Sequence, residues 1–168
     1  MTLAHFNSTS RDEFVRGVGP VFEHSPWIAE AAWGRRPFAS VEQLHAALCQ
    51  TVREASESQK LALIRAHPDL VGRAALAGTL ARESTGEQAS AGLSQLTAEE
   101  IAAFQKYNAA YREKFGFPFV ICARLNRKEP ILAGFERRLH NSPEQEVAAA
   151  LDEIFKIAEL RLRDLIQN

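Results

Sequence analysis

The residue types best suited to chemistry in this chain sit in two short segments about one helical hairpin apart. They are Ala66-His67-Pro68-Asp69-Leu70 and Ser84-Thr85-Gly86-Glu87-Gln88. Imidazole and carboxylate move protons, and a carboxamide holds a polar small molecule. Pro68 cannot continue a helix, so it imposes a sharp exit and stiffens His67. Glu87 and Gln88 are followed by Ala89, Ser90, Ala91 and Gly92, small residues that would let another helix approach closely. Ser84 reads as an N-cap with Glu87 as its box partner, and the N–H groups of such a helix start favour an anionic or carbonyl oxygen. The plain alternatives are a helix-capping histidine and a solvated helical glutamate.

A third candidate is an arginine on an apolar face. At about 100° per residue, Val147, Leu151, Ile154, Phe155, Ala158, Leu162 and Leu165 form one stripe. Arg161 falls inside its border, and Ile157 extends the apolar sector beyond it. Arg163 projects among Asp152, Lys156 and Glu159, toward solvent. Either Arg161 lies at the core edge and carries its head to water, or its guanidinium is buried and needs an anion. A substrate carboxylate or a protein carboxylate would satisfy it.

These residues must be positioned by helices. Ser10 caps residues 11–18, Ser25-Pro26 opens 27–33, and Ser40 with Gln43 is a capping box for a helix carrying Val41, Leu44, Leu48 and Val52. Residues 58–66 continue until Pro68, and an alanine-rich helix is expected from 69 or 70 to 80. Another is expected over 84–93. Thr97 with Glu100 opens a long helix to Phe115, with Gly116 as its C-cap. Phe117-Pro118-Phe119-Val120-Ile121-Cys122-Ala123 is a continuous apolar run that reads as a buried extended segment. Pro130 begins a helix to Leu139, and Ser142-Pro143-Glu144-Gln145 starts the last one. The expected fold is all-α: a single-domain multi-helix bundle over residues 1–168, with one short extended apolar segment at about 117–123.

Composition narrows the function. Lysine plus arginine (20) nearly balances aspartate plus glutamate (21), so no nucleic-acid footprint is visible. No segment reaches the apolar length of a membrane span, and no signal-peptide pattern opens the chain, so a cytoplasmic protein is expected. Cys49 and Cys122 lie in apolar contexts; reduced thiols are expected, with a disulfide the alternative. There is no His-Glu-x-x-His, no cysteine pair and no aspartate-rich loop, so no metal site is expected. Phosphate loops and dinucleotide fingerprints are also missing. His5, His24, His45 and His140 read as structural. His67-Pro68-Asp69 between helices is shared with the J-domains of co-chaperones. Those domains are much shorter than this chain, and their basic loop is replaced here by Leu70-Val71-Gly72.

Taken in order, the motifs resemble the 2-oxo-4-hydroxy-4-carboxy-5-ureidoimidazoline (OHCU) decarboxylase family of uric acid degradation. They are Ser25-Pro26-Trp27, Ile64-Arg65-Ala66-His67-Pro68-Asp69-Leu70 with Gly72-Arg73, and Ser84 with Glu87-Gln88 and Ala91-Gly92-Leu93. Tyr107-Asn108, Tyr111, Phe115 to Cys122 and Leu160-Arg161-Leu162 complete them. The resemblance implies a helical, cofactor-independent lyase, commonly a homodimer, that converts OHCU to (S)-allantoin. It implies that His67 is the catalytic proton donor, with Glu87 and Arg161 as polar active-site residues. It assigns substrate binding to Pro68, to Ser84, Thr85, Gly86, Glu87 and Gln88, and to Phe119, Val120, Ile121, Cys122 and Ala123.

Overall fold

The local signals become helices in the order expected, and the exceptions have identifiable competitors. The computed structural model describes residues 1–72 and 82–167, with the side chains of 82–85 left aside. Nine α-helices are found among the described residues: α1 Leu3–Ser8, α2 Arg11–Val18, α3 Trp27–Trp33, α4 Val41–Glu54, α5 Glu57–Arg65, α6 Arg82–Ser90, α7 Ala98–Phe115, α8 Lys128–Arg138 and α9 Pro143–Leu165. Short 3-10 turns cover Gly19–Val21 and Ala123–Leu125. The described residues contain no strand, so the fold is all-α. None of their helices is long and apolar enough to cross a membrane.

Helix starts show what local sequence decides. Ser10 and Glu13 form a reciprocal capping box, and Ser142 and Gln145 do the same at α9, at 3.2 and 2.9 Å. Two expected boxes are half-formed. Ser40 caps Gln43 N–H, yet Gln43 Oε1 turns to Ala39 N–H. Thr97 caps Glu100 N–H, while the Glu100 carboxylate pairs with Lys128 at 2.8 Å. Ser25 does not cap α3; its hydroxyl donates to Glu23 O and Pro26 stands at the N-cap. A box at Ser56 and Gln59 starts α5 one residue earlier than expected, and α8 starts at Lys128 rather than Pro130. Gly116 ends α7 in the left-handed region, at φ 75°.

Two further expectations change. Residues 69–72 form a turn, not the start of a helix, and residues 73–80 of the expected alanine-rich helix lie outside the described ones. The helix expected over 84–93 runs over Arg82–Ser90, so Ser84 sits inside it and not at its cap. Gly92, at φ +80°, follows in the turn.

The chain divides into two units, Met1–Ala66 with Phe155–Asn168, and His67–Ile154. In the first, α3 packs on α2 and α4, burying Phe14, Val18, Ile28, Ala32, Leu44, Leu48 and Val52 completely. In the second, α7 packs on α8. The Tyr111 ring there meets Phe115, Phe117, Phe119 and Phe135 at centroid distances of 4.6, 6.0, 5.3 and 6.5 Å, an aromatic core that the extended segment helps to build.

Candidate active site

His67 follows the end of α5, where the Ala66 N–H still reaches Ala62 O at 3.0 Å. Its side chain is 7% exposed. The chain then turns tightly: Gly72 N–H points back to Asp69 O at 3.4 Å, and a Cβ on Gly72 would come within 2.9 Å of Asp69 Cβ. Val71, third in the turn, has φ +53°. That position usually takes glycine or asparagine, and a β-branched residue there is strained, at a cost of about 1–2 kcal/mol.

Three side chains from two helices hold this turn. Asn108 of α7 donates from Nδ2 to Leu70 O at 2.7 Å. Gln88 of α6 accepts the Val71 N–H on Oε1 at 3.2 Å. Arg112, one turn after Asn108, pairs with Asp69 at 2.9 Å. Asn108 and Gln88 are 8% and 7% exposed, so their bonds form away from bulk water. The Arg112 pair lies at the surface and adds less.

Helix α6 also packs on the Ala123–Leu125 turn. The five residues from Phe119 to Ala123 are all buried, between 1% and 9% exposed. Burial pushes the Cys122 thiol up, and the Glu153 and Glu87 carboxylates push it further, so Glu87 is within electrostatic reach of this segment. Glu87 itself is half-buried. Within the second unit, therefore, the His67 turn, the Glu87–Gln88 helix and the Phe119–Ala123 segment are brought together through α6. Of the small residues expected to admit a close neighbour, Ala91 is buried and Gly92 half-buried, while Ala89 and Ser90 are exposed. Ser84 and Thr85 lie in α6 by backbone.

The segment is anchored from behind by a charged cluster that sequence reasoning missed. Arg138 donates from Nη1 to Val120 O at 2.7 Å and lies over the Phe119 ring at 4.2 Å. Its Nε donates to Glu146 at 2.8 Å, and Tyr111 Oη and Asn141 Nδ2 donate to the same carboxylate at 2.5 and 2.8 Å. Glu146 is 0% exposed. Burial and the Glu146 hydrogen bond drive the Tyr111 phenol far above its ordinary range. A signal existed: Glu146, Ala150, Ile154, Ile157 and Arg161 follow a helical spacing, and all five are buried.

Arg161 belongs to the first unit and is 7% exposed, so it does not carry its head to water. Nη2 donates to Glu23 at 3.0 Å, and Nη1 approaches Pro20 O and Val21 O at 3.4 and 3.5 Å. A protein carboxylate thus neutralises it. The exposed Arg163 pairs with Glu159 at 2.8 Å. His45 is structural, its Nε2 standing 2.8 Å from Phe155 O. Cys49 and Cys122 are free and buried. Among the described residues no group of three or more His, Cys, Asp or Glu could hold a metal ion.

The family model described as OHCU decarboxylase matches residues 7–163. A 2-oxo-4-hydroxy-4-carboxy-5-ureidoimidazoline decarboxylase of Amia calva is 45% identical over 99% of this chain and 95% of its own. One of Haloferax volcanii is 43% identical over 98% and 95%. The crystal structure of (S)-allantoin synthase matches with a TM-score of 0.81 at 32% identity, over 99% of this chain and 54% of that one, so this chain spans about half of that structure. With a family match across nearly its whole length, the chain belongs to the OHCU decarboxylase family.

Proposed function

We propose that this protein decarboxylates OHCU to (S)-allantoin, acting as a carboxy-lyase on a small anionic substrate. The observation that carries the reading is the buried His67 on its gripped turn, joined through α6 to the buried Phe119–Ala123 segment.

The substrate carries a hydroxyl and a carboxylate on one ring carbon, beside a C=N. When the bond to CO₂ breaks, its electron pair forms a double bond between the two ring carbons, the C=N pair moves onto the ring nitrogen, and that nitrogen takes up a proton, which leaves a neutral enol. The hydroxyl then gives up its proton to become a carbonyl, and the neighbouring carbon gains one. Because the adjacent unsaturation accepts the pair, the reaction requires no separate electron sink. The protein must orient the carboxylate, stabilise the enolate-like charge, and deliver a proton to one face.

His67, aided by Glu87, handles the hydroxyl proton and the protonation that sets the S configuration. A group of this kind contributes roughly 10²–10⁴-fold. Gln88, Pro68, the 84–88 stretch and the backbone of 119–123 bind the ring and its ureido amide. Gln88 Oε1 already accepts the Val71 N–H, so its amide N–H group is the end assigned to substrate. Arg161 is assigned to anionic or carbonyl oxygens of the substrate, its charge tempered by Glu23. The working form is a homodimer, as the resemblance implies, and acts in the cytoplasm.

The test is to mix purified protein with freshly generated OHCU and follow the circular dichroism of the allantoin formed. Rapid appearance of one enantiomer, lost in His67→Asn with the fold intact, is expected. Product that forms slowly and racemic at the uncatalysed rate, or a His67→Asn protein as fast as wild type, overturns the reading. Light scattering checks the dimer.

A further inference from the structure

We infer that Asn108 is a positioning residue for His67: with Gln88 it clamps the Leu70–Val71 turn in its left-handed form, and that turn holds the imidazole. The inference rests on His67 being the catalytic histidine.

Three observations converge on Asn108. First, the turn it grips is one the chain would not choose alone. Val71 at φ +53° is β-branched in a region that favours glycine, and such conformations persist where surrounding contacts over-determine them. Second, the grip has two independent jaws. Leu70 offers its carbonyl to Asn108 on α7, and Val71 its N–H to Gln88 on α6, so successive residues are tied to different helices. Third, Asn108 is a poor choice for stability alone. Among the described residues its Oδ1 is buried with no hydrogen-bond partner, and a buried acceptor without a donor is unfavourable. The feature that rewards the carboxamide is its Nδ2 bond to the turn.

His67 stands three residues before Leu70, with only Pro68 and Asp69 between. Pro68 has little backbone freedom of its own, and Asp69 is the first residue of the turn. A turn released at Leu70–Val71 therefore passes its displacement back to His67. Proton delivery to one face of a planar enol demands a placed donor, and a misplacement of about 1 Å is worth on the order of 10²-fold in rate.

The experiment uses four variants of the full chain: Asn108→Leu, Asn108→Asp, Val71→Gly, and the double Asn108→Leu/Val71→Gly. Asn108→Asp keeps the shape and removes the donor, and it stands in if the leucine variant does not fold. Each is assayed for kcat, KM and the enantiomeric purity of allantoin. In the substrate-free protein the His67 imidazole resonance is followed by NMR, assigned with His67→Asn. Losing the clamp should lower kcat by on the order of 10²-fold with KM near wild type, erode enantiomeric purity, and broaden or double the His67 resonance. Glycine adopts positive φ at no steric cost, so the double variant should recover kcat at least in part and sharpen the resonance.

A wild-type kcat and a sharp His67 signal in the Asn108 variants would overturn the clamp. So would a KM rise that accounts for the whole loss, which would make Asn108 a substrate contact. A glycine at 71 that rescues nothing would also overturn it. If instead the resonance responds as described while His67→Asn keeps full activity, the clamp stands and the catalytic assignment of His67 fails.

Discussion

Arg161 and Glu23 meet at 3.0 Å with both side chains about 6% exposed. The pair comes from a helix near one end of the chain and a turn near the other. A buried pair of this kind adds little net stability over apolar residues, yet breaking one side leaves a buried charge uncompensated. Glu23→Gln should therefore destabilise the protein by about 3–5 kcal/mol, measured by urea unfolding. The double replacement Glu23→Leu/Arg161→Met should recover most of that loss. If the double variant is stable and inactive, Arg161 has a role in chemistry beyond the fold. Arg161→Lys refines the point: an ammonium keeps the charge but not the planar fork, and activity should fall substantially.

The second buried carboxylate, Glu146, makes a different prediction. It accepts from Tyr111, Arg138 and Asn141, and Arg138 in turn holds Val120 O at 2.7 Å. Glu146→Gln keeps the shape but leaves Arg138 without its counter-charge, at a cost of about 3–5 kcal/mol. Arg138→Lys should give a milder loss of stability together with a raised KM, since the lysine cannot serve Glu146 and the Val120 carbonyl as a fork does. Steady-state kinetics beside thermal unfolding separates the two effects. A KM that stays at the wild-type value in Arg138→Lys would mean that the 119–123 backbone does not bind substrate.

How far these features could be read in advance depended on how local they were. The boxes at Ser10 and Ser142 involve residues three apart and needed nothing else. At Ser40 and Thr97 the serine or threonine behaved as expected, but its partner found a better offer, Ala39 N–H for Gln43 and Lys128 for Glu100. The Leu70–Val71 turn was missed because valine at positive φ runs against its own preference, and the side chains enforcing it lie 17 and 38 residues away. Glu23 and Glu146 were missed for a similar reason. Burial of a carboxylate depends on a partner that no local pattern names, although the spacing from Glu146 to Arg161 along one stripe was there to see. His67, Glu87, Gln88 and Arg161 were visible because their types stood out against apolar or small neighbours.

Gly116 offers a control remote from the chemistry. It ends α7 at φ 75°, and a Cβ there would meet no atom of the other described residues within 4 Å. The only cost of Gly116→Ala is conformational, about 1–2 kcal/mol, and turnover should not change. A much larger loss, read from denaturant midpoints, would show that the helix end is constrained by more than its backbone angle.

The thiols set an alkaline limit on stability. Burial pushes Cys49 up to about 11 from an ordinary value of 9.0, and Cys122 is raised as well. The folded thiols stay protonated at pH 8, so a thiol reagent should modify neither until denaturant is added. Above pH 9 the unfolded chain loses these protons first, while the folded chain keeps them. The unfolded state then binds fewer protons, and stability falls as pH rises from about 9 toward 11, by on the order of 2 kcal/mol for Cys49. Tyr111, raised in the same direction, extends the decline to higher pH. Urea midpoints at pH 7.5, 9.5 and 10.5 check the trend, and Cys49→Ala should flatten it. A wild-type midpoint that does not move across this range would mean that the folded thiols ionise as readily as free ones, and that burial does not govern them.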